Sequence, residues 1–127
     1  MRYLVDTHVI LWYASGDRKL STTARDAMDS NEVKVLSCVS LWEMAIKMRL
    51  KKLQVPDSLE VFARNEVGIV GYELLRIEPE HVYRLSLLDL HHRDPFDRLL
   101  AAQALSEDLN LISRDSEFDA YGVKRVW

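Results

Sequence analysis

The sequence is poor in the residues that staple or loosen a chain. Its 127 residues hold one cysteine, three prolines and four glycines. A single thiol excludes an internal disulfide, and Cys38, lying among Val35, Leu36 and Val39, reads as a small core hydrophobe. So few breakers leave no domain-separating linker, and no repeat or low-complexity tract is present, so one domain spanning residues 1–127 is expected. No apolar run approaches a membrane span. The start, Met1-Arg2-Tyr3-Leu4-Val5-Asp6, lacks a small-residue cleavage site, which predicts a cytoplasmic protein with no membrane association. Basic excess is missing too. A formal net charge of -3 argues against coating nucleic acid by phosphate neutralisation alone, but acids that hold divalent cations lower formal charge without counting the metal.

What is present is an alternation of short apolar strands and helices. Arg2–Val5 reads as a buried strand and the run from Thr7 through Trp12 as a helix. Ser21 or Thr22 caps a helix to about Asp29, and Val33–Ser37 is the next strand. Ser40-Leu41-Trp42-Glu43 has the form of a capping box opening a third helix. Pro56-Asp57 introduces a helix ending near Gly68, Tyr72–Ile77 is a strand, and Pro79 opens a helix through Leu88. His91-His92-Arg93 is expected as an exposed loop. Asp94 is the natural N-cap of a helix with Pro95 at its first position. Leu99 to Leu105 are apolar around most of that helix, which predicts burial. Asn110–Ser113 and Val123–Val126 are the remaining strands, with a short turn at Asp115–Phe118. The order predicts an α/β fold with a parallel sheet covered on both faces.

Four acids stand at positions where such a fold converges. Asp6 follows the first strand and Asp115 the fourth; Glu43 and Asp97 fall in first turns of helices. Ligands of parallel sheets bind at the shared C-terminal strand edge. Like charges gathered there need something positive among them, and a hard divalent cation takes oxygen ligands of this kind. Singly, each acid has a plainer role: Glu43 closing the capping box or pairing with Lys47, Asp97 favouring the helix dipole, Asp115 and Asp6 capping. Asp94 is a cap that can approach the site as a fifth acid. Thr7 and Ser113 have hydroxyls for capping, or for orienting water or phosphate. Arg98 and Arg114 are candidate phosphate contacts, each equally a surface ion-pair partner. Trp12, Trp42 and Phe62 read as core or interface residues before base-stacking platforms, and Trp12, Trp42 and Met48 are candidates for an apolar groove. His8 has no partner visible in sequence. No Gly-rich phosphate loop, Cys/His zinc spacing or nucleophile elbow occurs.

Four blocks carry a resemblance: Tyr3-Leu4-Val5-Asp6-Thr7-His8; Leu36-Ser37-Cys38-Val39-Ser40-Leu41-Trp42-Glu43; Asp94-Pro95-Phe96-Asp97-Arg98-Leu99-Leu100-Ala101-Ala102-Gln103-Ala104; and Leu111-Ile112-Ser113-Arg114-Asp115-Ser116-Glu117-Phe118. In this order they resemble the PIN-domain family, and within it the VapC toxins of toxin–antitoxin pairs. The family often has threonine where this chain has Ser113, and the hydroxyl is retained. The resemblance implies an α/β/α sandwich with a five-stranded parallel sheet and a site matching Asp6, Glu43, Asp97 and Asp115. It implies a Mg²⁺- or Mn²⁺-dependent endoribonuclease that dimerises and is silenced by a VapB-type antitoxin. The metal is then expected mainly on Asp6 and Asp97, with Glu43 and Asp115 completing the site directly or through water. Two other readings stay open: an RNA-processing nuclease without a toxin role, and a PIN-like module that binds RNA or a partner without cleaving.

Overall fold

A computed structural model describes all residues, 1–127. In chain order the elements are β1 (Arg2–Val5), α1 (Thr7–Ser15), α2 (Thr22–Asp29), β2 (Val33–Ser37), α3 (Cys38–Arg49), α4 (Leu59–Val70), β3 (Glu73–Leu75), α5 (Pro79–Leu85), α6 (Pro95–Ser106), β4 (Asn110–Ile112), a 3₁₀-helix (Ser116–Tyr121) and β5 (Arg125–Val126). No helix is long and apolar enough to cross a membrane.

The strands form one all-parallel sheet in the order β3-β2-β1-β4-β5. The chain winds outward from β1 through β2 to β3, then returns to the other side of β1 for β4 and β5. The reversal falls between β1 and β4, where a doubly wound sheet opens a crevice beyond its strand ends. Val5 pairs with Ile112 at the last position of each strand. The residues that follow, Asp6 and Ser113, therefore emerge side by side at the mouth of that crevice.

Strand side chains alternate between faces, and here both faces are buried. Leu4, Val35 and Leu111 point into one apolar cluster with Leu100, Ala101, Ala104 and Phe118. Their neighbours Val5, Leu36 and Ile112 point into the other, with Val9, Ile10, Ala24, Met28 and Met44. Layers holding α1 and α2 on one side and α6 on the other make the expected three-layer α/β/α sandwich. The apolar run of α6 explains its depth, since Leu99 through Ala104 are all buried.

Some boundaries differ from the sequence expectation. The chain passes from β2 into α3 without a loop. Ser37 is the N-cap, its Oγ accepting from the Val39 amide at 3.0 Å, so Ser40 is a buried helix residue and forms no capping box with Glu43. Glu43 thus lies in the second turn of α3, not the first. Helix α4 runs through Gly68 and stops at Gly71, whose φ of +80° favours a residue without Cβ. Strand β3 is shorter than Tyr72–Ile77, β4 stops at Ile112, and β5 begins only at Arg125.

Candidate functional site

Asp6 is the N-cap residue of α1, yet its side chain makes no cap hydrogen bond. Its Oδ2 accepts instead from Ser113 Oγ at 2.7 Å, across the β1–β4 pair. The Ser113 hydroxyl oxygen in turn accepts from the Asp115 amide at 3.0 Å. One buried hydroxyl thereby fixes Asp6 relative to Asp115. Asp6 is 5% exposed and its Oδ1 has no partner.

Glu43 projects from α3 and is 2% exposed. Lys47, one turn on, donates to its Oε2 at 2.7 Å, as the i,i+4 spacing predicts, while Oε1 is buried without a partner. Two unpartnered oxygens on buried carboxylates are costly. Asp97, in the first turn of α6, feels both groups: burial foremost, then the charges of Asp6 and Asp94, with Glu43 adding, push its pKa up to about 8. Burial likewise raises Asp6 above the ordinary carboxylate value, against the Ser113 hydrogen bond.

Asp94 is the cap it was expected to be, Oδ1 accepting from the amides of Phe96 at 2.9 Å and Asp97 at 3.3 Å. Asp115 does two things. Its Oδ1 caps the 3₁₀-helix through the Glu117 amide at 2.9 Å, and its Oδ2 meets His92 Nε2 at 2.8 Å. Thr7 is fully buried with its hydroxyl donating to Ser40 Oγ at 2.9 Å, so it braces α1 against α3. Arg98 is half-buried, and one nitrogen of its guanidinium donates to the Leu88 carbonyl at 3.2 Å, tying the segment before α6 to that helix. Arg114 is exposed beside Asp115.

His92, read from sequence as an exposed loop residue, is the residue that reading missed. Its side chain is only 12% exposed, and Nε2 also lies 3.1 Å from Asp97 Oδ2 and 3.3 Å from Glu117 Oε2. Burial pulls its pKa down, but the Asp115 hydrogen bond and the charges of Asp97, Asp115 and Glu117 leave it above the ordinary histidine value. His92, Asp115 and Glu117 stand close enough together to hold an ion. The second ring nitrogen argues for another role: Nδ1 accepts from the Asp94 amide at 3.1 Å, so the neutral ring carries its hydrogen on Nε2, facing the acids. His92 is thus a donor that orients Asp115 and Asp97. The neighbouring His91 is exposed and packs edge-on against Tyr121.

The donor set is carboxylate oxygen, with two buried oxygens unpartnered and one carboxyl, Asp97, whose pKa is raised to about 8 by burial first and neighbouring charge second. That suits a hard divalent cation, which would supply the missing positive charge, and Asp6, Glu43, Asp97 and Asp115 are the candidates to hold it.

A parallel doubly wound sheet with carboxylates at its switch point defines the class of protein. A family model described as the PIN domain matches residues 3–124, and the chain belongs to that family. Solved structures similar to it include VapBC2 from Rickettsia felis bound to a DNA fragment from its promoter, at TM-score 0.73, 12% identity and 100% coverage of both chains. VapBC-1 from nontypeable Haemophilus influenzae has TM-score 0.69 and 18% identity over 98% of this chain and 96% of that one. The DNA-bound VapBC from Salmonella typhimurium has TM-score 0.64 and 15% identity, again over 98% and 96%. No curated protein sequence matches significantly.

Proposed function

We propose that this protein is a divalent-metal-dependent endoribonuclease, the toxin of a VapBC-type pair, with residues 1–127 acting as one nuclease domain. The observation carrying the proposal is the gathering of Asp6, Glu43 and Asp97 with Asp115, two of whose buried carboxylate oxygens lack any partner. Binding RNA needs no such cluster, whereas hydrolysis of a phosphodiester by metal and water does. The toxin role is supported by the VapBC assemblies among the structural neighbours. It brings with it a cytoplasmic location, a small VapB-type antitoxin and a homodimer.

Mg²⁺ or Mn²⁺, when bound, activates water and offsets charge developing on the phosphoryl oxygens. Asp6 and Asp97 are the principal ligands; Glu43 and Asp115 complete the set directly or through water. Ser113 holds Asp6 in its rotamer, and Lys47 keeps one oxygen of Glu43 engaged so that the other faces its task. The acids act as ligands and water-orienting groups, not as nucleophiles.

The test is cleavage of single-stranded RNA by purified protein with Mg²⁺ or Mn²⁺ and with chelator, paired with induced expression in a bacterial host. Metal-dependent cutting, growth arrest, and loss of both in Asp6→Ala are expected. Cutting without arrest makes it an RNA-processing nuclease, and binding without cutting makes it a recognition module. A narrower expectation concerns His92. Hydrogen-bonding partners of metal ligands are typically worth 10–100-fold in affinity. Calorimetric titration should therefore show His92→Ala binding Mn²⁺ about tenfold more weakly, with partial recovery in His92→Gln, whose amide can still donate. Unchanged affinity in the alanine variant removes His92 from the support of the site.

A further inference from the structure

The acids lie between two clefts of opposite character. One, of about 380 Å³, has Asp6, Asp97 and Asp115 on its floor and His8, Trp12 and Arg114 on its walls. The other, of about 390 Å³, reaches Glu43 from the far side; its charged lining is Lys47, paired with Glu43, together with Lys52, Arg93 and Asp94. Lys52 and Arg93 line one cleft without an ion-pair partner, and an aromatic pair lines the other.

His8 and Trp12 are four residues apart on α1, so their side chains share one face of the helix. Their ring centroids are 5.6 Å apart with planes inclined at 40°. Trp12 is held by two neighbours: its ring packs on Trp127 at 6.0 Å, tilted by 55°, and Lys19 Nζ lies over it at 5.9 Å from the centroid. His8 is exposed, two residues beyond Asp6. Trp42 differs, for it is held edge-on by Phe96 at 4.7 Å and does not line the cleft shared with the acids.

We propose that His8 and Trp12 seat one nucleobase of single-stranded RNA beside the scissile phosphate, while Lys52 and Arg93 track the backbone leaving the other side. The inference rests on the nuclease proposal and specifies how its substrate is held. A phosphodiester over the acids carries its attached base a sugar's width away, within the cleft whose walls are aromatic. Stacking on a braced tryptophan tolerates any base, because every base has a π-face. Arg114, beside Asp115, meets the phosphate between them. Lys52 and Arg93 add sequence-independent, salt-sensitive grip.

The experiment uses fluorescence anisotropy with a short labelled single-stranded RNA and its abasic series, one base removed per member. All proteins carry Asp97→Asn so that the probe is bound and not consumed. Removing one particular base should weaken binding roughly tenfold. Adding Trp12→Ala or His8→Ala should abolish that position-specific loss, and Trp12→Phe should preserve it. Lys52→Ala and Arg93→Ala should weaken every member alike and flatten the salt dependence. His8 is exposed, so its variant keeps the test decisive if Trp12→Ala fails to fold. A flat abasic profile in the parent overturns the base seat and leaves the nuclease proposal standing, as does a position-specific loss that survives both alanine variants. No RNA binding at all overturns the two together.

Discussion

Asp97→Asn is expected to lower the RNA-cleavage rate by about three orders of magnitude while leaving the fold intact. The magnitude follows from taking a principal ligand from a metal whose charge stabilisation is worth several kcal/mol, at about 1.4 kcal/mol per decade of rate. The fold should survive because asparagine keeps the shape of the side chain, and the contact anchoring this turn is made by the backbone: the Asp97 amide donates to Asp94 Oδ1 at 3.3 Å. Removing the charge also relieves repulsion from Asp6 and Asp94, which helps hold the Asp97 pKa near 8. The metal-free variant should accordingly melt above metal-free wild type at pH 8. An Asp97 that served only the helix dipole would instead cost roughly 0.3–1 kcal/mol on replacement and leave activity alone. Asp94→Asn is the control, because asparagine caps as well as aspartate does. Rates within a few-fold of wild type are expected there, measured with the same RNA and matched metal. A folded Asp97→Asn protein that cuts at the wild-type rate would remove Asp97 from the chemistry.

The parts of this site written in local chemistry were readable before the fold. Asp6 ends an apolar strand, Asp97 follows an N-cap and a proline, and Asp115 follows the apolar pair Leu111-Ile112. The strand–helix alternation was enough for a parallel sheet, whose strand ends share one edge. What escaped was set by tertiary position. His92 is one of two adjacent histidines with no periodicity to separate them. Its inward turn depends on the Tyr121 hydroxyl accepting from its amide at 2.8 Å and on Arg98 holding the Leu88 carbonyl. Neither residue is linked to it by local pattern, and Arg98 itself reads equally as a phosphate contact or a surface ion-pair partner. The start of α3 was misplaced because Ser37 and Ser40 are both competent caps, and only the strand running directly into the helix decides between them. Gly68 looked like a stop because glycine costs about 1 kcal/mol in a helix, yet α4 absorbs that cost and ends where a positive φ is required. Thr7 reads locally as a cap, yet its hydroxyl donates to Ser40, which comes from a helix folded against it.

The stabilising effect of Mg²⁺ or Mn²⁺ is expected to be small at pH 5 and large at pH 8. Asp97 has its folded pKa raised to about 8, chiefly by burial, against an ordinary value of 3.8. A group raised in this way binds a proton more tightly when folded. Its contribution to stability is full below the unfolded value and is lost as pH climbs through the folded one. Asp6 is shifted the same way by burial, and His92, held above its ordinary value by the facing acids, adds to the same trend. Metal-free protein should therefore weaken steadily between about pH 4 and pH 8. Divalent metal competes with those protons for the same oxygens, so its affinity rises over that interval. At a hundredfold excess over its dissociation constant a native-state ligand adds about 2.7 kcal/mol. For a chain of this size that is on the order of 10 °C in melting temperature. Thermal melts from pH 5 to pH 9, with metal or with chelator, measure both curves. Asp97→Asn should flatten the chelated curve by removing one of its titrating contributions. A metal-induced shift of the same size at every pH would contradict the proton competition. A chelated protein that grows more stable from pH 5 to pH 8 would show that the acids are not crowded together without their cation.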